Sequence, residues 1–502
     1  MTKTQEAAAA VRHWLSAFQD ALAARDSEAA SALFGEECFW RDLVAFTWNI
    51  KTLEGRPAIA AMLRANLDAI APSNWRLTEE PEWRDGVCEA WLSFETRAGR
   101  GRGVLRLRDG KAWTLLTVLD ELKGFEERKG FRRPNGVAHG VYRRDKTWLE
   151  AKQAEEAALG YEKQPYCVVV GGGQGGVALG ARLKQLDVPT IILEKNARPG
   201  DSWRNRYRSL VLHDPVWYDH LPYIPFPENW PVFTPKDKLG DWLEMYVKVM
   251  ELNYWAASEC VRAAYDDERQ EWAVEVRRNG NSVTLRPKHL IFATGAYGPP
   301  REIPLPGRER FRGECYHSSR YMTGEPYAGK HCIVIGGNSS AHDIAANLWE
   351  FGANVTMLQR SPTTVVRSET LMEFGFEPLY SESALKAGIS TDRADMIFAA
   401  TPFRLMPQGQ IEIYREIRKR DAAFYERLEK SGLQIDFGED ESGLMMKAFR
   451  TGSGYYIDVG ASELIANGSI AVKSGVEILQ VKENAVELTD GSELSADLIV
   501  MA

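Results

Sequence analysis

The 502-residue sequence has no closely spaced cysteine pair. Cys38, Cys88, Cys167, Cys260, Cys315 and Cys332 form no CxxC, and no two lie within fifteen residues of each other. A dithiol redox centre or a zinc knuckle needs such pairs, so both are disfavoured and the thiols read as reduced and packed. No stretch reaches the roughly 18 uninterrupted apolar residues of a membrane-spanning helix. The opening MTKTQEAAAAVRHWLSAF is interrupted by Lys3, Glu6, Arg12 and Asp20, so it does not read as a signal peptide. A basic excess is also missing. Sixty-two Lys and Arg against seventy Asp and Glu leave a net charge of −8, which argues against nucleic acid as a partner. No HExxH, Ser-His-Asp set or paired carboxylates stand out. These absences predict a soluble, cytoplasmic chain with no metal, nucleic-acid or membrane partner.

What is present describes a folded protein of about three domains. Hydrophobic residues make up 44% and tryptophans number fifteen, which excludes a disordered chain. Val11, Trp14, Leu15, Phe18 and Leu22 recur at helical spacing. Short helices are predicted around Ser27–Phe34 and Arg56–Ala69, then strands over Trp75–Glu80, Val87–Thr96, Gly103–Arg108 and Lys111–Leu122. Asp109-Gly110 joins the last two as a hairpin. This order predicts a small α+β domain over residues 1–125. Residues 126–160 read as a charged linker, in which Arg128, Lys129, Arg132, Arg133, Arg143, Arg144 and Lys146 make a solvated basic cluster. A helix is expected near its end, over Thr147–Ala158.

The chemistry lies further on. The buried-strand pattern YCVVV runs into Gly171-Gly-Gly173-Gln-Gly175-Gly176, a helix follows, and a second strand ends in Glu194, eighteen residues after Gly176. Each glycine has a task in binding a dinucleotide. Gly171 allows the tight turn, Gly173 lets backbone N–H groups approach a pyrophosphate, and Gly176 lets the helix pack on the strand. The helix N-terminus then faces the negative charge, and Glu194 suits ribose hydroxyls. A second copy begins at HCIVI and continues through Gly336, Asn338, Ser339, Ser340 and Ala341. Asn338, in place of a glycine, is expected to tolerate positive φ there. The following strand ends in Gln359-Arg360 rather than an acid. Arg360 suits a 2′-phosphate, so NADPH is expected at this copy, with NADH possible.

Two dinucleotide folds flank Phe311-Arg-Gly313-Glu-Cys-Tyr-His317-Ser-Ser-Arg-Tyr321, an FxGxxxHxxxY motif, and Thr294-Gly295 follows a strand as an ATG turn. With GDSWRNRY…SLVLHDPVWYDHLPYIPFPENWPVFTPKDKLGDWLEMY, these motifs resemble the class B flavin-containing monooxygenases. They are especially similar to the type II and YUCCA-like branches, from about Gln164 onward. The first segment, through FGEECFWRDLVAF…TLEGRPAIAAML, resembles the nuclear-transport-factor-2-like (SnoaL-like) cone fold, and a packing role is favoured for it over an enzyme site.

The resemblance implies two Rossmann-type domains, with the nicotinamide domain inserted in the FAD domain. FAD is placed over 161–325 and 453–502, and NADPH over 326–452. It further implies that NADPH reduces FAD, that dioxygen forms a flavin 4a-hydroperoxide, and that one oxygen atom passes to a small organic substrate by N- or S-oxygenation. Trp203 reads as a wall of the flavin site. His213 stands where many relatives carry asparagine, and it leaves two roles open, either a donor to the peroxide or a base generating a peroxyanion that attacks ketones. Asp214 beside it is a second catalytic candidate. Baeyer–Villiger oxidation is therefore the alternative, although Tyr321 replaces the tryptophan usual in that chemistry. A catalytically silent flavoprotein, with its first domain used for assembly or ligand binding, is a further reading. His317 is expected to orient the linker between domains. The insert from about Ser368 to Gly452 reads as helices covering the nicotinamide domain. The resemblance would continue past Ala502, so trimming of the chain is expected, and the cone-fold sheet would suit a homodimer.

Overall fold

The computed structural model describes residues 3–136 and 147–502. Arg143, Arg144 and Lys146 of the expected basic cluster lie outside the described residues. Of the rest, Arg132 pairs with Glu121 and Glu126, and Lys129 with Glu127, so this part of the cluster is neutralised locally. The predicted helix in this stretch is Trp148–Ala158, capped by a reciprocal Thr147–Glu150 box. The chain divides into two compact units, Met1–Pro134 with Leu385–Met406, and Asn135–Ala384 with Pro407–Ala502.

In the first unit, helices Lys3–Ala23, Ser27–Ala32 and Gly55–Ile70 accompany a seven-stranded sheet. Asp109 and Gly110 both take positive φ, 51° and 72°, as a two-residue hairpin requires. Trp14, Phe18, Phe34, Trp40, Phe46, Trp75 and Phe94 fill the interior ring against ring, with neighbouring centroids 4.6–6.3 Å apart. The predicted helical stripe Val11, Trp14, Leu15, Phe18 and Leu22 is buried in that core.

The second unit carries two parallel sheets of Rossmann type. One runs Tyr254–Trp255, Thr190–Leu193, Cys167–Val170, His289–Phe292. The other runs Glu314–His317, Leu498–Met501, His331–Ile335, Asn354–Gln359, Ala471–Ser474. Leu498–Met501, from the stretch 453–502, is a central strand of the second sheet, beside Glu314–His317 from the stretch 161–325. Its four residues are all buried, as a parallel strand covered on both faces must be. Within the insert expected as helices covering the nicotinamide domain, the stretch Leu385–Met406 belongs to the first unit.

Among the described residues no helix is long and apolar enough to cross a membrane. No group of three or more His, Cys, Asp and Glu among them could hold a metal ion.

Candidate active site

The first crossover consists of strand Cys167–Val170, helix Gln174–Gln185 and strand Thr190–Leu193. Its glycines divide into two kinds. At Gly171 (φ 110°) a Cβ would stand 2.3 Å from the Ala293 carbonyl oxygen, and at Gly176 only 1.9 Å from that of Gly171. These two let protein meet protein. At Gly175 a Cβ would meet nothing within 4 Å, and at Gly173 only the Ser202 hydroxyl at 3.9 Å, so here the backbone is open to a ligand. The helix starts at Gly173 with no side-chain cap, leaving its first N–H groups for an anion.

A cleft of about 960 Å³ lies in front of this turn, and Gly171, Gly173, Gly175, Glu194, Thr294 and Gly295 line it. Glu194 is buried, with Oε2 accepting from the Gly172 N–H (2.9 Å) and Oε1 from that of Asn196 (2.8 Å). The carboxylate is fixed and keeps lone pairs for hydroxyls on the cleft side. Open glycines, an uncapped helix start and an anchored acid fit an adenine dinucleotide. Trp203 is not among the walls of this cleft; its indole donates to Gln174 Oε1 at 3.2 Å and steadies the first turn of the helix.

The second crossover, strand His331–Ile335, helix Ser339–Glu350 and strand Asn354–Gln359, repeats the plan with different fittings. Gly336 has φ 144°, and a Cβ there would stand 2.5 Å from the Ala502 carbonyl oxygen. The positive φ expected of Asn338 is not used: φ is −99°, extended backbone open to any residue. The tight turn falls on Gly336 alone, so Asn338 is freed from that duty. Ala341 occupies the place of the third glycine and is buried with its methyl group. Arg360 is exposed at the strand end, while Gln359 is buried and bonded to Thr363, Gln434 and Ser474.

Between these crossovers in sequence, Gly313 lies where a Cβ would stand 2.2 Å from the Asp497 carbonyl oxygen. Phe311 packs into the apolar cluster of the second sheet. His317 caps a short turn through Ser319, and Tyr321 is buried, donating to Asn347 Oδ1 at 2.8 Å.

His213 and Asp214 line a second cavity of about 230 Å³ together with Ser339 of the second crossover. Leu371, Phe376, Ile413, Leu444, Met445 and Ile457 give it a mainly apolar wall. Sequence reasoning missed the residue that governs this site. Asp343, on the helix that opens at Ser339, accepts the Tyr207 hydroxyl at 2.6 Å and stands 3.2 Å from His213 Nε2, both through Oδ2. Burial pulls the His213 pKa down, but the Asp343 hydrogen bond and charge, helped by Asp214 and Asp458, outweigh it and hold the imidazole above its ordinary value. Burial raises the Asp214 pKa, opposed by His213. Burial and then Asp343 push the Tyr207 phenol far up, so it stays a donor. Ser340 bonds the same phenol.

Next to Asp343, His342 is fully buried and stacks on Tyr456 with centroids 4.0 Å apart. Its burial lowers the pKa, which leaves it neutral. Asp343 Oδ1 and His342 Nε2 are both buried without a hydrogen-bond partner. Asp343 is the fifth residue of its helix, and nothing local in the sequence marks it out. Only the fold brings in its partner Tyr207, 136 residues away.

The six cysteines are all free, and burial raises every one of their pKa values, that of Cys332 to about 12. None is a ready thiolate.

With this geometry in place, comparison with known proteins identifies the relatives. The sequence model of the pyridine nucleotide-disulphide oxidoreductase family matches residues 168–412. Indole-3-pyruvate monooxygenase YUCCA1 of Oryza sativa subsp. japonica is 29% identical over 340 residues, covering 67% of this chain and 76% of that protein. The probable indole-3-pyruvate monooxygenase YUCCA10 of Arabidopsis thaliana is 28% identical over 339 residues, covering 67% and 80%. In fold, the chain is similar to ε-caprolactone-bound cyclohexanone monooxygenase in its loose conformation, with a TM-score of 0.51, 21% identity and coverage of 67% of this chain and 73% of that one.

The chain has an α/β fold with Rossmann-type sheets, as that solved monooxygenase structure has. More particularly, the chain is a homologue of flavin-dependent monooxygenases, and FAD and NADPH are the cofactors that this kinship implies.

Proposed function

We propose that this protein is an NADPH-dependent FAD monooxygenase that delivers one oxygen atom of dioxygen to a nitrogen or sulfur atom of a small, largely apolar substrate. The observation that carries the reading is the cavity in which His213, tied to Asp343, meets an apolar wall beside the start of the second crossover. Bound FAD, once reduced by NADPH, supplies the activation of dioxygen; the chain's residues supply binding, orientation and protons. The first crossover takes FAD, its open glycines against the pyrophosphate and Glu194 on the ribose. The second takes NADPH, with Ser339 and Ser340 at the helix start and Arg360 on the 2′-phosphate. The apolar wall excludes water from the reacting atoms. His213 Nε2 faces Asp343, which fixes the ring and holds the imidazole pKa above its ordinary value, so that His213 is the proton-handling group of this cavity.

Baeyer–Villiger attack on a ketone needs an anionic oxidant and is the alternative; Tyr321, where that chemistry usually has tryptophan, favours heteroatom oxygenation. Assay of the purified protein with a thioether and a cyclic ketone tests this: sulfoxide without lactone is expected, and lactone as the main product would reverse the assignment. In the first unit we read the cone-like fold as a packing module, because seven aromatic rings occupy its interior.

A further inference from the structure

The tyrosine that binds Asp343 is half of a pair. Asp343 and Asn347 lie four residues apart on helix Ser339–Glu350 and so share one face of it. Each accepts a buried phenol: Tyr207 donates to Asp343 Oδ2 at 2.6 Å, and Tyr321 to Asn347 Oδ1 at 2.8 Å. The two rings stand 6.4 Å apart, inclined at 58°. The N–H of Arg208 donates to the carbonyl of Met322 at 2.9 Å, which fastens together the segments that carry them. Tyr207 and Tyr321 are 3% and 1% exposed and belong to one apolar cluster, so Tyr321, the last residue of the FxGxxxHxxxY motif, backs the ring of Tyr207. All of these residues lie in the second unit.

Asp343 serves two donors through one atom. His213 Nε2 stands 3.2 Å from the same Oδ2, while Oδ1 has no hydrogen-bond partner among the described residues. A charge-assisted N–H···O bond usually closes to about 2.7–2.9 Å. Here the phenol has the short bond and the imidazole the long one. Ser340, in the first turn of the same helix, bonds the Tyr207 hydroxyl, and a phenol that accepts one bond donates a stronger one.

Other groups face His213 as well. Asp214, next to it in the chain, and Asp458, at the end of strand Tyr455–Asp458, add negative charge. Tyr456 meets the imidazole edge-on with centroids 6.1 Å apart, and burial keeps its phenol protonated. His342, stacked on Tyr456, is neutral. Asp343 is the group that joins His213 to Tyr207.

We propose that Tyr207 is a positioning residue for His213: by taking Asp343 Oδ2 in the shorter bond it keeps the carboxylate from closing on the imidazole, and so lets His213 give up its proton as well as hold it. The consequence for oxygenation rests on reading the cavity at His213 as the reaction site, whereas the hold on Asp343 does not.

Titration of the His213 ring, followed by NMR in the full-length holoenzyme, tests the hold without any substrate. Tyr207→Phe removes only the hydroxyl. The carboxylate then closes on the imidazole, and the midpoint should move to higher pH. Replacing Tyr207 with 3-fluorotyrosine keeps the shape and makes a stronger donor, so the midpoint should move to lower pH; this protein reports on the same contact if the phenylalanine variant does not fold. In an Asp343→Asn background, adding Tyr207→Phe should leave the midpoint where Asp343→Asn alone puts it, because the tyrosine acts through the carboxylate. An unmoved or lowered midpoint in Tyr207→Phe, an unmoved or raised one with fluorotyrosine, or a further shift in the double variant overturns the proposal. Kinetics address the second clause. The pH profile of thioanisole oxygenation should move in Tyr207→Phe in the same direction as the titration. A titration that moves while the profile stays, or a parent protein that does not oxygenate thioanisole, refutes the reading of the cavity as the reaction site and leaves the hold of Tyr207 on Asp343 standing.

Discussion

The two crossovers share one plan and the first glycine, and differ in their other fittings. In the first, three glycines bring helix, strand and ligand face into contact, and a buried acid is locked at the strand end by two backbone N–H groups. In the second, asparagine and alanine replace two of those glycines, the strand is followed by an exposed arginine, and the helix buries His342 and ties Asp343 to His213. A buried, anchored acid beside an open glycine turn suits a group that stays. A cradle with its charge at the surface and its titratable groups at the cavity suits a group that arrives, reacts and leaves.

The largest test of this contrast is steric. Gly176→Ala places a methyl group 1.9 Å from a carbonyl oxygen, so flavin per chain is expected to fall more than tenfold and the protein to purify colourless. Ala341→Gly, at the corresponding place in the second crossover, should keep full flavin content by absorbance. Retained flavin in Gly176→Ala would dissolve the distinction.

A smaller effect is expected from charge. Asp343→Asn removes the group that outweighs burial at His213, so the imidazole pKa should drop. Followed by NMR of the His213 ring, the protonated fraction should then vanish at lower pH, and turnover should fall about 10–100-fold with its pH profile displaced the same way. The raised pKa means that the stabilisation from this pair is present in acid and lost as pH climbs through the folded-state value. An unmoved titration would show that Asp343 only packs.

Next comes Arg360→Ala, expected to raise KM for NADPH about tenfold while leaving KM for NADH within twofold. Equal losses for both would assign Arg360 no part in 2′-phosphate binding.

The smallest effect concerns stability. Asp219 has a buried Oδ2 without a partner, and burial, with Asp214 adding and His220 opposing, lifts its pKa to about 7. A carboxyl whose pKa is raised on folding gives stability that is complete below about pH 4 and is lost towards pH 7. The fall in melting temperature between pH 5 and 8 should therefore be shallower in Asp219→Asn, by about 1–2 kcal/mol in free energy. A parallel pair of curves would mean that the carboxyl ionises without cost.

Local signals carried much of this architecture. Strand, glycine turn, helix and Glu194 occur within 28 residues, and the Asp109-Gly110 hairpin within a dozen, so spacing alone made them legible. The nonlocal arrangements were not. Asp343 is one more acid on a helix until Tyr207 and His213 are brought to it. The insert reads as a cover for the nearest domain, because nothing in Met396 or Ala400 announces that they cluster with Trp91, some three hundred positions earlier. Asn338 misled for another reason: its tolerance of positive φ is real, but the backbone had already turned at Gly336.

The central strand Leu498–Met501 pairs with Glu314–His317 on one side and His331–Ile335 on the other. During synthesis those two strands must wait for more than 160 further residues with their inner edges unsatisfied. The first unit waits likewise for Leu385–Met406. Such long loop closures slow folding and expose sticky strand edges to other chains. A chain threaded this way should emerge from the ribosome as a client of chaperones, and its yield on refolding from denaturant should depend steeply on protein concentration.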